Sequence, residues 1–161
     1  MKNIKKLLVI SPFFVSLAIF GLMSSSARAD NQAVVQAWLA AWNSHNTDTF
    51  VGIFTGNAVF EHVPLNSVSR GPEEIRAFAQ FVFTALPDLK ITILNSSAKG
   101  GDVTIEWLFS ATDKGFYGTG KPFAVRGVSV IELHETKIVR DSDYWDSATI
   151  LRQVGLLPPG L

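Results

Sequence analysis

The sequence predicts an α+β fold in which helices pack against a curved, mostly antiparallel sheet. In the first half, apolar residues recur every three or four positions, which is typical of amphipathic helices. In the second half, apolar and polar residues alternate over long runs that turn residues separate, which is typical of strands. Helices followed by a run of strands indicate the α+β class rather than alternating α/β.

The first 29 residues predict a cleaved export signal rather than a part of the fold. Three lysines stand among the first six residues, residues 7–23 are almost wholly apolar, and small residues at 24–29 resemble a cleavage site. The apolar run is short for a bilayer span. We therefore expect a periplasmic or secreted protein without a stable membrane anchor after cleavage, and a single domain over residues 30–161.

The composition limits the classes of partner and chemistry. Cysteine is absent from the sequence, which excludes disulfides and thiol catalysis. Residues 1–29 hold four basic residues and no acid, so the 14 basic and 14 acidic residues of the chain leave 10 and 14 in the domain. This acidic balance speaks against a nucleic-acid partner, because such partners select clustered positive charge.

Three helices are predicted before the meander of strands. Asp30 can cap the first, whose apolar stripe includes Trp38 and Trp42. A short second helix begins at Thr47. The third covers residues 71–85 and begins with glycine, proline and two glutamates, a typical helix start.

Five strands and a closing helix complete the predicted fold. The first strand covers residues 58–63, and a loop over 64–70 follows it. The other four strands form a meander over residues 89–97, 103–110, 123–133 and 138–145. The closing helix covers residues 146–154, and Gly155 ends it.

Two carboxylates share one face of the last strand, because Asp141 and Asp143 are two positions apart. If that face lines an apolar cavity, their pKa values shift and the pair becomes a candidate for proton transfer. If the face is exposed, Arg140 and Arg126 pair with these acids, and such pairs imply no function. The residues alone leave both interpretations open.

Short motifs follow one another in a characteristic order along residues 30–161. They are Leu86-Pro87-Asp88-Leu89, Gly101-Asp102-Val103, Gly120-Lys121, Lys137-Ile138, Tyr144-Trp145-Asp146 and Leu151-Arg152-Gln153-Val154-Gly155, with His62, Pro64 and Arg70-Gly71 before them. In order and spacing the chain resembles SnoaL-like proteins of the nuclear transport factor 2-like superfamily. The resemblance implies a cone-shaped α+β barrel with a pocket between the concave sheet and the N-terminal helices.

The resemblance also implies an active-site acid. In polyketide-cyclase members, an aspartate on the last strand is the general acid/base of an aldol cyclisation that needs no cofactor. Counting back from Gln153-Val154-Gly155, that residue is Asp143 or Asp146 here. A hairpin turn near Thr136 places Asp143 opposite Ser129 on an apolar face, so Asp143 is the first candidate. A slip of one residue would favour Asp146.

One position departs from the pattern of the cyclases, which place a histidine across from the acid where this chain has Ser129. Serine can hydrogen-bond a substrate but cannot shuttle a proton near neutral pH. The superfamily also includes isomerases, hydrolases and ligand binders, so the fold does not select a reaction. We expect either cofactor-free acid/base chemistry on a small apolar, oxygen-bearing molecule or a non-catalytic ligand-binding or accessory interaction protein.

Ser129, Asp141 and Asp146 are candidates to assist Asp143 at the site. Other side chains are candidates for substrate binding. His62 can orient a substrate oxygen or act as a base, and can equally be a half-buried strand histidine. Trp107 and Trp145 can line a pocket or pack in the core, and Tyr117 can be a mobile lid residue or an exposed aromatic.

The histidines are scattered without metal-ligand spacing, so no metal site is predicted. A homodimer is predicted through the outer face of the sheet, where apolar and charged residues mix. That face carries Arg126, Val128, Val130 and Glu132.

Overall fold

The computed structural model describes residues 31–160, so the predicted export signal lies outside the described residues. The described helices are α1 (residues 31–43), α2 (Thr47–Val51), α3 (Gly71–Ala85) and α4 (Ser147–Gln153). The strands are β1 (Phe54–His62), β2 (Ser67–Arg70), β3 (Lys90–Lys99), β4 (Asp102–Thr112), β5 (Pro122–His134) and β6 (Lys137–Trp145). None of the described helices is long and apolar enough to cross a membrane.

The strands form one curved sheet in the order β2-β1-β6-β5-β4-β3. Neighbours pair antiparallel except β1 and β6, which pair parallel and make the sheet mixed. The predicted α+β class and meander are confirmed. Register shifts in β1, in β3 and between β5 and β6 mark irregularities of the kind that bend strands.

The predicted loop over residues 64–70 is wrong, because it contains strand β2 after a short 3₁₀ turn at Val63–Leu65. Four residues of β2 pair with the end of β1 at the edge of the sheet. A strand this short offers too few positions for an alternating pattern to indicate it.

An aromatic core lies between the helices and one face of the sheet. Trp42 of α1 packs edge-on against Phe50 at a centroid distance of 4.7 Å, and Phe60 and Phe83 surround the same rings. Offset and edge-to-face pairs of this kind stabilise cores by about 0.5–1.5 kcal/mol beyond their buried area. The cluster fixes α1 and α3 relative to the sheet and so defines the space left between them.

Candidate active site

A cavity of about 630 Å³, including the space open to solvent at its mouth, lies between the helices and the sheet. Its wall is mainly aromatic and aliphatic: Trp38, Trp42, Leu65, Phe78, Val82, Leu86, Ile91, Trp107, Phe109, Phe116, Tyr117, Phe123, Trp145 and Ile150. Among the described residues, the phenol of Tyr117, His62 and Asp143 are the ionisable groups that reach this wall. Such an apolar cavity with a few converging polar groups is typical of a small-molecule site.

Asp143 presents its carboxyl group to the cavity from β6 and is 3% exposed. Its partner in the register is Ser129 of β5, as the sequence predicts. The Ser129 hydroxyl donates to Asp143 Oδ1 at 2.5 Å. Burial raises the pKa of Asp143 to about 7, although the hydrogen bond from Ser129 opposes the shift. A carboxyl with that pKa can both take and give a proton near neutral pH.

Ser129 is itself held in place by Trp107, whose indole Nε1 donates to Ser129 Oγ at 2.9 Å. Trp107 of β4 lies opposite Gly127 of β5, and a Cβ at that glycine would overlap the indole ring. The glycine therefore leaves room for the ring that orients the serine. Trp107, Ser129 and Asp143 form a continuous chain of hydrogen bonds across three strands.

His62 reaches the cavity from β1, where it is paired with Asp143 of β6. Its imidazole stacks on Phe78 at a centroid distance of 3.8 Å, and neither ring nitrogen has a hydrogen-bond partner among the described residues. Burial lowers the pKa of His62 to about 3, so the ring is neutral at physiological pH. A neutral imidazole can offer a ligand one donor and one acceptor.

Asp141 is completely buried but does not reach the cavity wall. Trp38 Nε1 donates to its Oδ2 at 2.9 Å, while Oδ1 has no partner among the described residues. Burial and the neighbouring Asp143 charge raise the pKa of Asp141 well above its usual range, against the opposing hydrogen bond from Trp38. Burial and the neighbouring carboxyl thus favour the protonated form of Asp141.

The exposed alternative for the two acids is wrong, because both are buried and the arginines pair elsewhere. Arg140 Nη2 lies 2.6 Å from Glu61 Oε2, and Arg126 pairs with Glu106.

Asp146 lies away from the cavity wall, at the N-terminus of α4. One of its oxygens accepts from the Ala148 backbone N–H at 2.9 Å, and the other accepts from the Thr149 hydroxyl at 2.6 Å. This is the arrangement of a helix N-cap. Of the two aspartates considered from the sequence, Asp143 is thus the one beside the cavity.

Trp145, Trp107 and Tyr117 all line the cavity. Trp38 lines it as well, and its contact with Asp141 had no signal in the sequence, where it reads as one member of a packing stripe. Within residues 31–160, no group of three or more His, Cys, Asp or Glu side chains is arranged to hold a metal ion.

The sequence identifies the family to which this fold and cavity belong. The sequence model of SnoaL-like polyketide cyclases matches residues 32–154. The chain belongs to the SnoaL-like polyketide cyclase family. The predicted resemblance is thereby confirmed. No curated protein matches the chain.

Several solved structures share the fold of this SnoaL-like chain. A hypothetical protein of ketosteroid isomerase-like fold from Catenulispora acidiphila, solved with trimethylamine, is 25% identical with a TM-score of 0.70, covering 76% of this chain and 92% of that one. A putative SnoaL-like polyketide cyclase from Jannaschia is 18% identical with a TM-score of 0.71, covering 81% and 94%. The putative polyketide cyclase IdmH from Streptomyces antibioticus is 21% identical with a TM-score of 0.68, covering 78% and 98%.

Proposed function

We propose that this SnoaL-like protein acts without a cofactor on a small apolar, oxygen-bearing molecule, with Asp143 as its general acid/base. The observation that carries the proposal is the place of the Asp143 carboxyl. It lies in an otherwise apolar wall, is oriented by Ser129, and has a pKa raised to about 7. Catalytic groups work best when their pKa lies near the working pH.

The other polar groups have distinct roles in this proposal. His62 donates a hydrogen bond to the ligand oxygen, because its nitrogens lack other partners and its neutral ring has an N–H to give. Asp143 removes a proton from the carbon next to a carbonyl and returns one to the product. Asp141 does not reach the cavity wall, so Asp143 is the carboxyl that exchanges protons with the ligand. The aromatic wall binds the apolar body of the ligand and excludes water.

Proton abstraction can be tested with a simple ketone. We would incubate the protein with 1-tetralone in D₂O at pH 7.5 and follow the loss of the α-hydrogen signal by NMR. The wild type is expected to accelerate exchange over buffer, and Asp143→Asn is expected to lose about 10²-fold or more of that acceleration. Asp102→Asn, at the exposed first residue of β4 and outside the cavity wall, serves as the control and should retain it. Exchange that is equally fast in Asp143→Asn would exclude this role.

The second candidate function is ligand binding without turnover. It is favoured by the small number of ionisable groups at an otherwise apolar wall, since apolar area alone can hold a ligand. The two functions differ in the same experiment. A binder would perturb the 1-tetralone signals in both wild type and Asp143→Asn, with no exchange above buffer in either.

We also propose export through residues 1–29 and a homodimer through the outer face of the sheet. Val130 and Tyr144 are each 43% exposed on neighbouring strands of that face. Mass spectrometry of protein recovered from the periplasm or medium tests cleavage before Asp30.

Sedimentation of wild type and Val130→Glu tests the dimer, which the charged substitution should dissociate.

A further inference from the structure

The loop between β4 and β5 is organised around one buried carboxylate, Asp113, which is 0% exposed. Its Oδ1 accepts from the backbone N–H groups of Tyr117 at 2.8 Å and Gly118 at 3.3 Å. Its Oδ2 accepts from the backbone N–H and the hydroxyl of Thr119, at 2.8 and 2.7 Å. Both carboxylate oxygens are therefore satisfied by three consecutive residues of the loop.

Further backbone bonds tie the same loop to its surroundings. The Asp113 N–H donates to the Lys121 carbonyl at 2.9 Å, and the Gly120 N–H donates to the Asp113 carbonyl at 2.7 Å. On the other side, Lys114 and Gly115 both donate to the carbonyl of Ala85 at the end of α3, at 3.0 and 3.1 Å. Tyr117, which the sequence offers as a mobile lid residue, thus lies in a loop that is held by a closed network of hydrogen bonds.

The loop forms part of the cavity wall. Phe116 and Tyr117 both line the cavity, and their rings contact each other at a centroid distance of 5.1 Å. Gly118 and Gly120 adopt positive φ angles of 74° and 69°, a conformation that other residues rarely adopt. The backbone can therefore wrap around Asp113 while it directs two aromatic side chains to the cavity.

The charge of Asp113 strengthens this arrangement. Burial alone would raise the pKa of Asp113, but the hydrogen bonds from Tyr117, Thr119 and Gly118 outweigh it and lower the pKa to about 2. The carboxylate is consequently ionised throughout the ordinary pH range. Hydrogen bonds to an ionised acceptor are about twice as strong as those between neutral groups.

We propose that Asp113 is a positioning residue for the cavity: it fixes residues 114–121 so that Phe116 and Tyr117 close one side, and it thereby limits the entry of small molecules. The proposal concerns access to the cavity and holds for an enzyme and for a binder alike.

The chain offers direct reporters for this proposal, because all four of its tryptophans line the cavity. Quenching of their fluorescence by acrylamide, a small neutral molecule, measures access to the cavity. Hydrogen exchange of the backbone amides measures the loop itself. Neither measurement depends on the acid/base role of Asp143, so failure of that role would leave this test intact.

The test compares Asp113→Asn with the matched variant Asp88→Asn in the full chain. In Asp113→Asn the side-chain NH2 would face either the Thr119 N–H or the N–H groups of Tyr117 and Gly118, so the network loses its charge and at least one acceptor. Asp88 accepts from the backbone N–H and hydroxyl of Thr112 at 2.7 and 2.6 Å, close to the same loop, but is exposed and outside the cavity wall. It controls for the loss of a carboxylate near the end of β4.

We expect amide exchange at residues 117–119 to rise by about tenfold in Asp113→Asn, as the loss of one charge-assisted bond implies. The acrylamide quenching constant should rise at least about twofold, while exchange in β4 and β5 stays at the wild-type level. Asp88→Asn should leave the quenching constant unchanged. Faster loop exchange without increased quenching would overturn the link to the cavity, and increased exchange throughout the sheet would indicate a merely structural role.

A milder variant keeps the proposal testable if Asp113→Asn does not fold. Thr119→Val removes one donor of nearly the same shape, the hydroxyl 2.7 Å from Asp113 Oδ2. It should raise both loop exchange and quenching in the same direction by a smaller factor. Wild-type values for both would overturn the proposal.

Discussion

His62 and Asp143 occupy paired positions on the parallel strands β1 and β6, with imidazole Nε2 3.7 Å from carboxyl Oδ2. This separation is too long for a hydrogen bond, so each group remains able to bind a ligand. Burial lowers the pKa of His62 to about 3 and raises the pKa of Asp143 to about 7. Between those values both groups are neutral, and the polar end of the cavity carries no charge. Such a site suits an uncharged ligand.

Replacement of Asp143 by asparagine should stabilise the protein at alkaline pH. The folded pKa of Asp143 is about 7 against an ordinary value of 3.8, so the native state binds the extra proton between these values. Stability from this group therefore falls as pH rises through that window. Asp143→Asn should exceed the wild type in unfolding free energy at pH 8 by on the order of 2 kcal/mol, with a smaller difference at pH 4. Urea unfolding at both pH values measures this, and a difference independent of pH would contradict it.

His62→Phe should change stability with the opposite pH dependence. The pKa of His62 is lowered from 6.5 to about 3, so the unfolded chain binds a proton in this range that the native protein refuses. The wild type therefore loses stability as pH falls through the window, whereas a phenylalanine has no proton to bind. In thermal unfolding, the stability of the variant relative to the wild type should increase as the pH falls from 7 to 4. A difference in stability between the two proteins that does not change with pH would show that the imidazole binds a proton as readily in the folded state as in the unfolded chain.

Trp38→Phe should destabilise the protein by about 1–3 kcal/mol, because it leaves both Asp141 oxygens without a hydrogen-bond donor. Trp42→Phe is the matched control, since Trp42 is the next aromatic on the same face of α1 and its Nε1 has no partner among the described residues. It should lose only the packing of the smaller ring. Equal losses in denaturant unfolding would mean that the bond to Asp141 contributes nothing measurable.

Gly127→Ala should disturb the site through Trp107, because the added Cβ would overlap the indole ring. We expect a loss of about 1–3 kcal/mol from overpacking. The displaced indole should also weaken its bond to Ser129, which would appear as a shift of the Trp107 indole N–H signal in NMR spectra. Gly56→Ala controls for the loss of a glycine, since no heavy atom lies within 4 Å of a Cβ there. An unchanged indole signal in Gly127→Ala would refute the role of Gly127.

Local pattern was sufficient to predict the hairpin that carries the acid. The alternation along β5 and β6 and a turn near Thr136 predict the pairing of Ser129 with Asp143, which the structure has. The start of α3 follows from its glycine, proline and glutamates, and the helix covers the predicted residues 71–85. These features depend on neighbours in the sequence, which is why they can be read from it.

Contacts between distant strands could not be predicted in the same way. The residue across the hairpin from Asp143 is Ser129 and not a histidine. His62 lies beside Asp143 on the other neighbouring strand, β1, and is 81 residues away in the sequence. No local periodicity reports a parallel pairing over that separation. The same holds for Asp113, whose four hydrogen-bond donors are apparent only once the loop is folded around it.

The most direct test of the account is the pKa of Asp143, measured by NMR of its carboxyl carbon, with Asp143→Asn to assign the signal. We expect a value of about 7 in the wild type. Ser129→Ala should raise it further, because the hydrogen bond that favours the ionised form is lost. A value near the ordinary 3.8 would place the carboxyl in water or beside a cation, and would contradict the proposal that Asp143 is the acid/base of this cavity.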